Sequence, residues 1–252
     1  MPRIAGAAAA QPELKFHQKL ILNKWILSQF GASSLIELSV NMKNPSLEEI
    51  DDEGVTGFHK QLVLLFGDKC LFSKENLARY DLNIVSHIRK INEKRDEPFT
   101  LKYFQYLSLL FIEVYLDSYF NDRQRLLESL NKYVSDFNDQ FLNDTIKPYT
   151  ENDLNKVAVW NATGSGKTLI MHVNYHQYLH YSDGNLADDA TYILLTPKEG
   201  LSKQHLDEYK ASSIPAKVYD KNASRWMRTA GEISVLERSE ERRVGKECRS
   251  RW

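Results

Sequence analysis

The sequence predicts an α/β protein: an all-helical N-terminal region, then a lobe with a mainly parallel sheet. Three observations predict it. Val157-Ala-Val-Trp160 is an apolar run of strand-forming residues, Gly164-Ser-Gly-Lys-Thr168 follows, and Leu169 to Tyr181 reads as helix. That order is the context of a phosphate-binding P-loop. Beyond it, short apolar strands alternate with helical runs, which implies parallel βαβ crossovers. Before it, to about residue 96, apolar residues recur at helical spacing.

In order, Leu14 to Phe30 predicts an amphipathic helix with Phe16, Leu20, Leu27 and Phe30 on one stripe and Gly31 to end it. Ser46-Leu-Glu-Glu49 has the spacing of a capping box and starts a helical stretch running towards Phe66 and stopping at Gly67. Asp81 is placed to cap a helix carrying Ile84, Ile88 and Ile91. The basic run Arg89 to Arg95 reads as the solvated end of that helix rather than a nucleic-acid contact. Leu101 to Phe120 is apolar nearly all round and predicts a helix buried between layers. Lys102, Gln105, Glu113 and Asp117 would each be expensive in hydrocarbon, so it is not a membrane span. Residues 121–139 predict a polar amphipathic helix, and 139–155 a polar link. After the P-loop helix come a loop over 183–189, a second buried strand at Tyr192–Thr196, and a helix from Leu201 to about Lys210. Short strands at Lys217–Tyr219 and Ile233–Leu236 complete the pattern.

A chain of 252 residues with 42% apolar and 11% aromatic content can build a real core. Two cysteines, Cys70 and Cys248, make no disulfide framework, which points to a reducing, cytoplasmic compartment. The small, mildly apolar opening, residues 1–10, reads as a loose terminus rather than a signal segment. A net charge of −1 does not advertise a nucleic-acid binder.

The chemistry sits in Ala162-Thr-Gly-Ser-Gly-Lys-Thr168. Gly164 and Gly166 let the backbone turn tightly, so that N–H groups face phosphate oxygens at the positive end of a helix. Thr163 and Ser165 belong to the same cradle. Lys167 then reaches the β- and γ-phosphates of ATP, and the Thr168 hydroxyl ligates Mg²⁺. The strict pattern has glycine where Asn161 stands. His172, His176 and His180 follow at i, i+4 and i+8. No carboxylate or cysteine falls at ligand spacing, so a polar helix face is the reading.

Asn161 to Thr168, with Ile193-Leu-Leu-Thr-Pro-Lys-Glu-Gly-Leu-Ser-Lys-Gln204, resembles the DEAD/DEAH-like superfamily-two helicases, in particular the motor subunits of type III restriction endonucleases. The similarity is specific over about 157–210 and extends to Thr100 to Leu107. It implies an incomplete RecA-like lobe and an ATP-driven translocase or helicase that hydrolyses ATP to move on DNA, double-stranded rather than RNA, with a possible modification methyltransferase partner. It implies that Thr196, Pro197 and Gly200 help a helix N-terminus hold a DNA phosphate. It also implies that Gln105 reads the adenine edge; a buried amide satisfied within the helical layer is the other reading of that residue. The resemblance divides the chain into a helical region at 1–96, the first part of the motor lobe at 97–237, and a tail at 238–252.

That tail, Arg238 to Trp252, has no periodicity and looks like translated sequencing-library adapter; without it the chain holds 27 basic and 31 acidic residues. The acidic motif and arginine fingers of the family are not found before it. The chain therefore reads as an N-terminal fragment that turns over ATP poorly. A P-loop switch or kinase acting away from nucleic acid is the alternative, and a non-catalytic interaction module a third.

Overall fold

The computed structural model describes residues 14–182, 191–219 and 231–237. The loop at 183–189 and the tail at 238–252, both read from the sequence, lie outside the described residues. The fold is α/β: a helical N-terminal part followed by an incomplete RecA-like lobe. The helices are α1 (Ile21–Gln29), α2 (Leu35–Ser39), α3 (Gly57–Phe66), α4 (Lys74–Asn92), α5 (Tyr103–Asn121), α6 (Arg123–Gln140), α7 (Lys167–Ser182) and α8 (Glu199–Ala211). The strands are β1 (Tyr192–Thr196), β2 (Ala216–Val218) and β3 (Ile233–Glu237).

Local signals account for most helix ends, though not always the ones first read. The opening helix is broken at Leu20, whose ψ of 87° is not helical, so a short 3-10 turn (Phe16–Lys19) precedes α1. Ser46 starts no long helix. Pro45–Glu48 is a 3-10 turn, and Thr56 caps α3 by accepting from His59 N. Ser73 caps α4 in the same way through Asn76 N. Asp81 is therefore interior to α4 and fully buried. It accepts from Thr56 N (3.0 Å), Thr56 Oγ1 (2.6 Å) and Tyr106 Oη (2.8 Å), joining α3, α4 and α5. A carboxylate with three donors can stay inside.

α5 is buried as its composition requires: Tyr106, Leu109 and Leu110 have no exposure. It packs on α4, α6 and α7. Tyr115 Oη donates to Leu154 O at 2.6 Å, pinning the link that leads to the P-loop. Asn131 and Asn138 of α6 each clasp that link by paired backbone bonds, at Tyr149 and Ile146.

The three strands run parallel in the order β1–β3–β2, with Tyr192 opposite Ile233 and Ala216 opposite Ile233 on the other side. β3 is central, and residues 233–236 are all buried. β1 is covered on one face only. Tyr192 packs on Tyr175 and Tyr178 of α7, while Ile193 and Leu195 are half exposed. The expectation of a fully buried strand there is corrected: one face has no covering layer among the described residues.

The expected strand at Val157–Trp160 does not form. Among the described residues this segment has no ladder partner, and Trp160 is 90% exposed, with the ring of Phe16 in a tilted contact at 6.5 Å. Apolar, β-branched residues favour a pleated, half-buried surface rather than an extended backbone as such. Without a neighbouring strand that preference has nothing to act on.

Candidate nucleotide site

α7 carries the site. Its first residue is Lys167, so residues 162–166 cross in front of its N-terminus. Gly164 and Gly166 have φ of +77° and +76°, a region that side chains rarely adopt. The two differ in surroundings. A Cβ at Gly164 would meet nothing within 4 Å, whereas one at Gly166 would lie 2.7 Å from Gln105 Nε2. Gly164 is needed for conformation alone, and Gly166 for both conformation and close approach.

The loop closes with Ser165 N donating to Ala162 O at 3.2 Å, and Ile170 N to Gly166 O at 3.1 Å. The Ser165 hydroxyl is buried with no hydrogen-bond partner among the described residues. Lys167 is exposed, and its ammonium donates to Ala162 O (3.1 Å) and Asn161 O (3.4 Å). It thus lies across the loop rather than out in solvent. Asn161, where the strict pattern has glycine, donates to Ser108 Oγ of α5 at 3.3 Å and anchors the loop's entry. Thr168 is half-buried in the first turn of α7. The cradle fits a polyphosphate: two positive-φ glycines, a helix N-terminus, a lysine and an inward hydroxyl with spare bonding capacity.

Gln105 is buried against this loop. Its Nε2 donates to Ser165 O at 2.9 Å, and its Oε1 accepts from Lys102 N at 2.8 Å. Its amide is therefore satisfied, yet satisfied on the loop itself, 60 residues away in sequence.

The segment after β1 is built differently. Thr196 is buried, its hydroxyl 2.6 Å from Ser202 Oγ, so its side chain holds the turn and faces inward. Pro197 and Gly200 are exposed. No side chain caps the N-terminus of α8, which leaves its first amides open, but Glu199 puts a negative charge in that first turn. The two sequence-predicted groups, 162–168 and 196–200, begin different helices.

Residues 121–242 match the family model of the type III restriction enzyme res subunit. The ResIII segment begins at the end of α5 and takes in α6, the P-loop, α7, β1, α8, β2 and β3. At family level it supports a helicase-like, ATP-dependent motor of restriction-enzyme type. Comparison with curated proteins and with solved structures gives no match. Gln105 lies outside the ResIII segment.

The other side of α7 holds what sequence reading missed. Glu113 of α5 has no exposure and accepts from Tyr181 Oη (2.6 Å), Gln177 Nε2 (2.8 Å) and Asn83 Nδ2 (3.2 Å). Burial pushes its carboxyl up to about 7, against the pull of those three donors. The histidine face of α7 is graded in burial, from buried His172 through half-buried His176 to exposed His180. His172 is fully buried; the His176 ring stacks on His87 of α4 at 6.0 Å, and His180 meets His87 edge-on at 5.8 Å. Burial lowers His87 and His172 to about 3 and His176 to about 4, so all three are neutral near pH 7. Among the described residues no group of three or more metal-ligating side chains could hold an ion. No helix among them is long and apolar enough to cross a membrane.

Proposed function

We propose that the chain binds Mg-ATP at 162–168 and is the nucleotide-binding part of an ATP-driven motor acting on double-stranded DNA. The observation that carries this reading is the loop at the N-terminus of α7, with both glycines at positive φ and Lys167 lying over its carbonyls. In this reading the amides of Ala162 to Gly166 receive the phosphates, Lys167 neutralises the β- and γ-oxygens, and Thr168 ligates Mg²⁺. The metal ion supplies charge neutralisation on the phosphate when bound. Gln105, held on Ser165 O, is the group assigned to the adenine edge.

The turn at Thr196–Gly200 is assigned to a DNA backbone phosphate through main-chain N–H groups. Thr196 acts there by fixing the turn through Ser202, Pro197, which has no N–H of its own, by setting the turn's shape, and Gly200 by presenting its backbone N–H. The ResIII match supports the motor class, and a DNA-modification subunit is the partner proposed from it. The division at 1–96 and 97–237 and a cytoplasmic location belong to the same reading.

Melting curves test it. Mg-ATP at one hundred times its Kd should stabilise the chain by about 2.7 kcal/mol. Lys167→Ala should remove that shift. Duplex DNA added with ATP should stabilise it further, and an unchanged DNA arm would favour a nucleotide switch or kinase. No ATP shift in the wild-type chain would end the P-loop assignment.

A further inference from the structure

α7 and α8 begin the two assigned sites, and they meet at one polar node. Ser212 caps the C-terminus of α8 and is 1% exposed. Its hydroxyl accepts from Arg95 Nη1 at 2.6 Å and lies 2.8 Å from His172 Nδ1 of α7. The other arm of Arg95 reaches Glu208 Oε2 of α8 at 2.7 Å, and the Arg95 side chain is only 13% exposed. The His172 ring stacks on Tyr209 of α8 at 4.6 Å. A guanidinium only donates, so Ser212 Oγ must accept from it; its own proton and remaining lone pair are left for His172.

Arg95 comes from neither helix. It sits in the loop after α4, and that loop is itself clasped: Asn92 Nδ2 donates to Phe99 O at 3.0 Å, and Asn92 Oδ1 accepts from Phe99 N at 2.8 Å. A rigid fork in a fixed loop holds the C-terminal turn of α8 against α7, about 20 Å of helix away from the N-terminus of α8.

We propose that Arg95 is a positioning residue that couples the two sites: a shift of α7 on nucleotide binding moves α8 through His172, Ser212 and Glu208. This rests on the nucleotide assignment above. The node supplies a contiguous bonded path between two rigid elements that start the two sites. α7 and α8 also meet through ring and sulfur packing, with Tyr209 Oη 3.9 Å from Met171 Sδ, which is less directional.

Amide hydrogen exchange on the 252-residue chain, with and without saturating Mg-ATP, tests it. In the wild type, ATP should slow exchange in 162–172 and also in 199–212. In Arg95→Ala the slowing at 162–172 should remain and that at 199–212 should be lost. Ser212→Ala, a small change at a capping position, should behave alike and carries the comparison if Arg95→Ala fails to fold. Slowing of α8 that persists in both variants, or that is missing in the wild type while 162–172 responds, would overturn the coupling and leave the nucleotide site standing. No response at 162–172 in the wild type would overturn the nucleotide site, and the coupling with it.

Discussion

The two ends of α7 are held in opposite ways. At its C-terminal half, Gln177, Tyr181 and His180 are locked to α4 and α5 around a carboxylate with no exposure. At its N-terminus, Lys167 and residues 162–164 are exposed, and the Lys167 ammonium is bonded to carbonyls of its own loop. Buried polar groups must be satisfied by the protein, so the Glu113 end is a structural lock. The exposed loop end makes few bonds to the rest of the protein and should contribute little to folding.

Glu113→Ala should unlock the C-terminal half of α7. Three donors lose their acceptor inside a packed seam, and we expect a loss of about 3–5 kcal/mol in chemical denaturation. Glu113→Gln, which still accepts through its amide oxygen, should cost much less. Equal losses would show that the seam rests on apolar packing rather than on that acceptor.

Lys167→Ala tests the weak end. Without nucleotide its effect on the melting midpoint should correspond to less than about 0.5 kcal/mol, since the side chain is exposed. With saturating Mg-ATP the same substitution should forfeit the whole ligand-dependent shift. A large cost in the absence of nucleotide would make the loop part of the lock.

pH separates the groups that line the locked end. His87 faces His176, His180 and Lys90, and neither ring nitrogen has a hydrogen-bond partner among the described residues. Its folded value of about 3 lies below the ordinary 6.5, so the fold holds it neutral while the unfolded chain takes up a proton. The stability it contributes is complete above pH 6.5 and falls as pH drops towards 3, by about 1.4 kcal/mol per pH unit in mid-range. His87→Phe should flatten that acid limb by one proton. Glu113 has the opposite sign: raised to about 7 from 4.5, its contribution is complete below pH 4.5 and is lost as pH rises through 7. Glu113→Gln should flatten the change between pH 4.5 and 7.

The smallest effect is expected at Trp160. With 90% of the residue exposed, Trp160→Ala should change stability by about 0.5 kcal/mol or less, against about 3–5 for a tryptophan in a core. A core-sized loss would place Val157–Trp160 in a packed strand after all.

The sequence alone determined the parts whose signal is local. The loop at 164–168 followed by helix, the buried α5, the alternation of strand and helix after it and the glycine end at Gly31 were legible because turn chemistry and apolar period act within a few residues. The ResIII likeness was legible for the same reason, being carried by contiguous motifs. Tertiary structure decided everything that needs a partner. Asp81 could have been a cap or a buried acceptor, and only the arrival of Thr56 and Tyr106 made it the second. Val157–Trp160 has a strand's composition, but a strand exists only beside another strand. Gln105 and Ser165 are 60 residues apart, and Arg95 and Ser212 are 117 apart. No period or spacing records such pairs, because a hydrogen bond is fixed by where two helices cross, and that is set by the packing of the whole core.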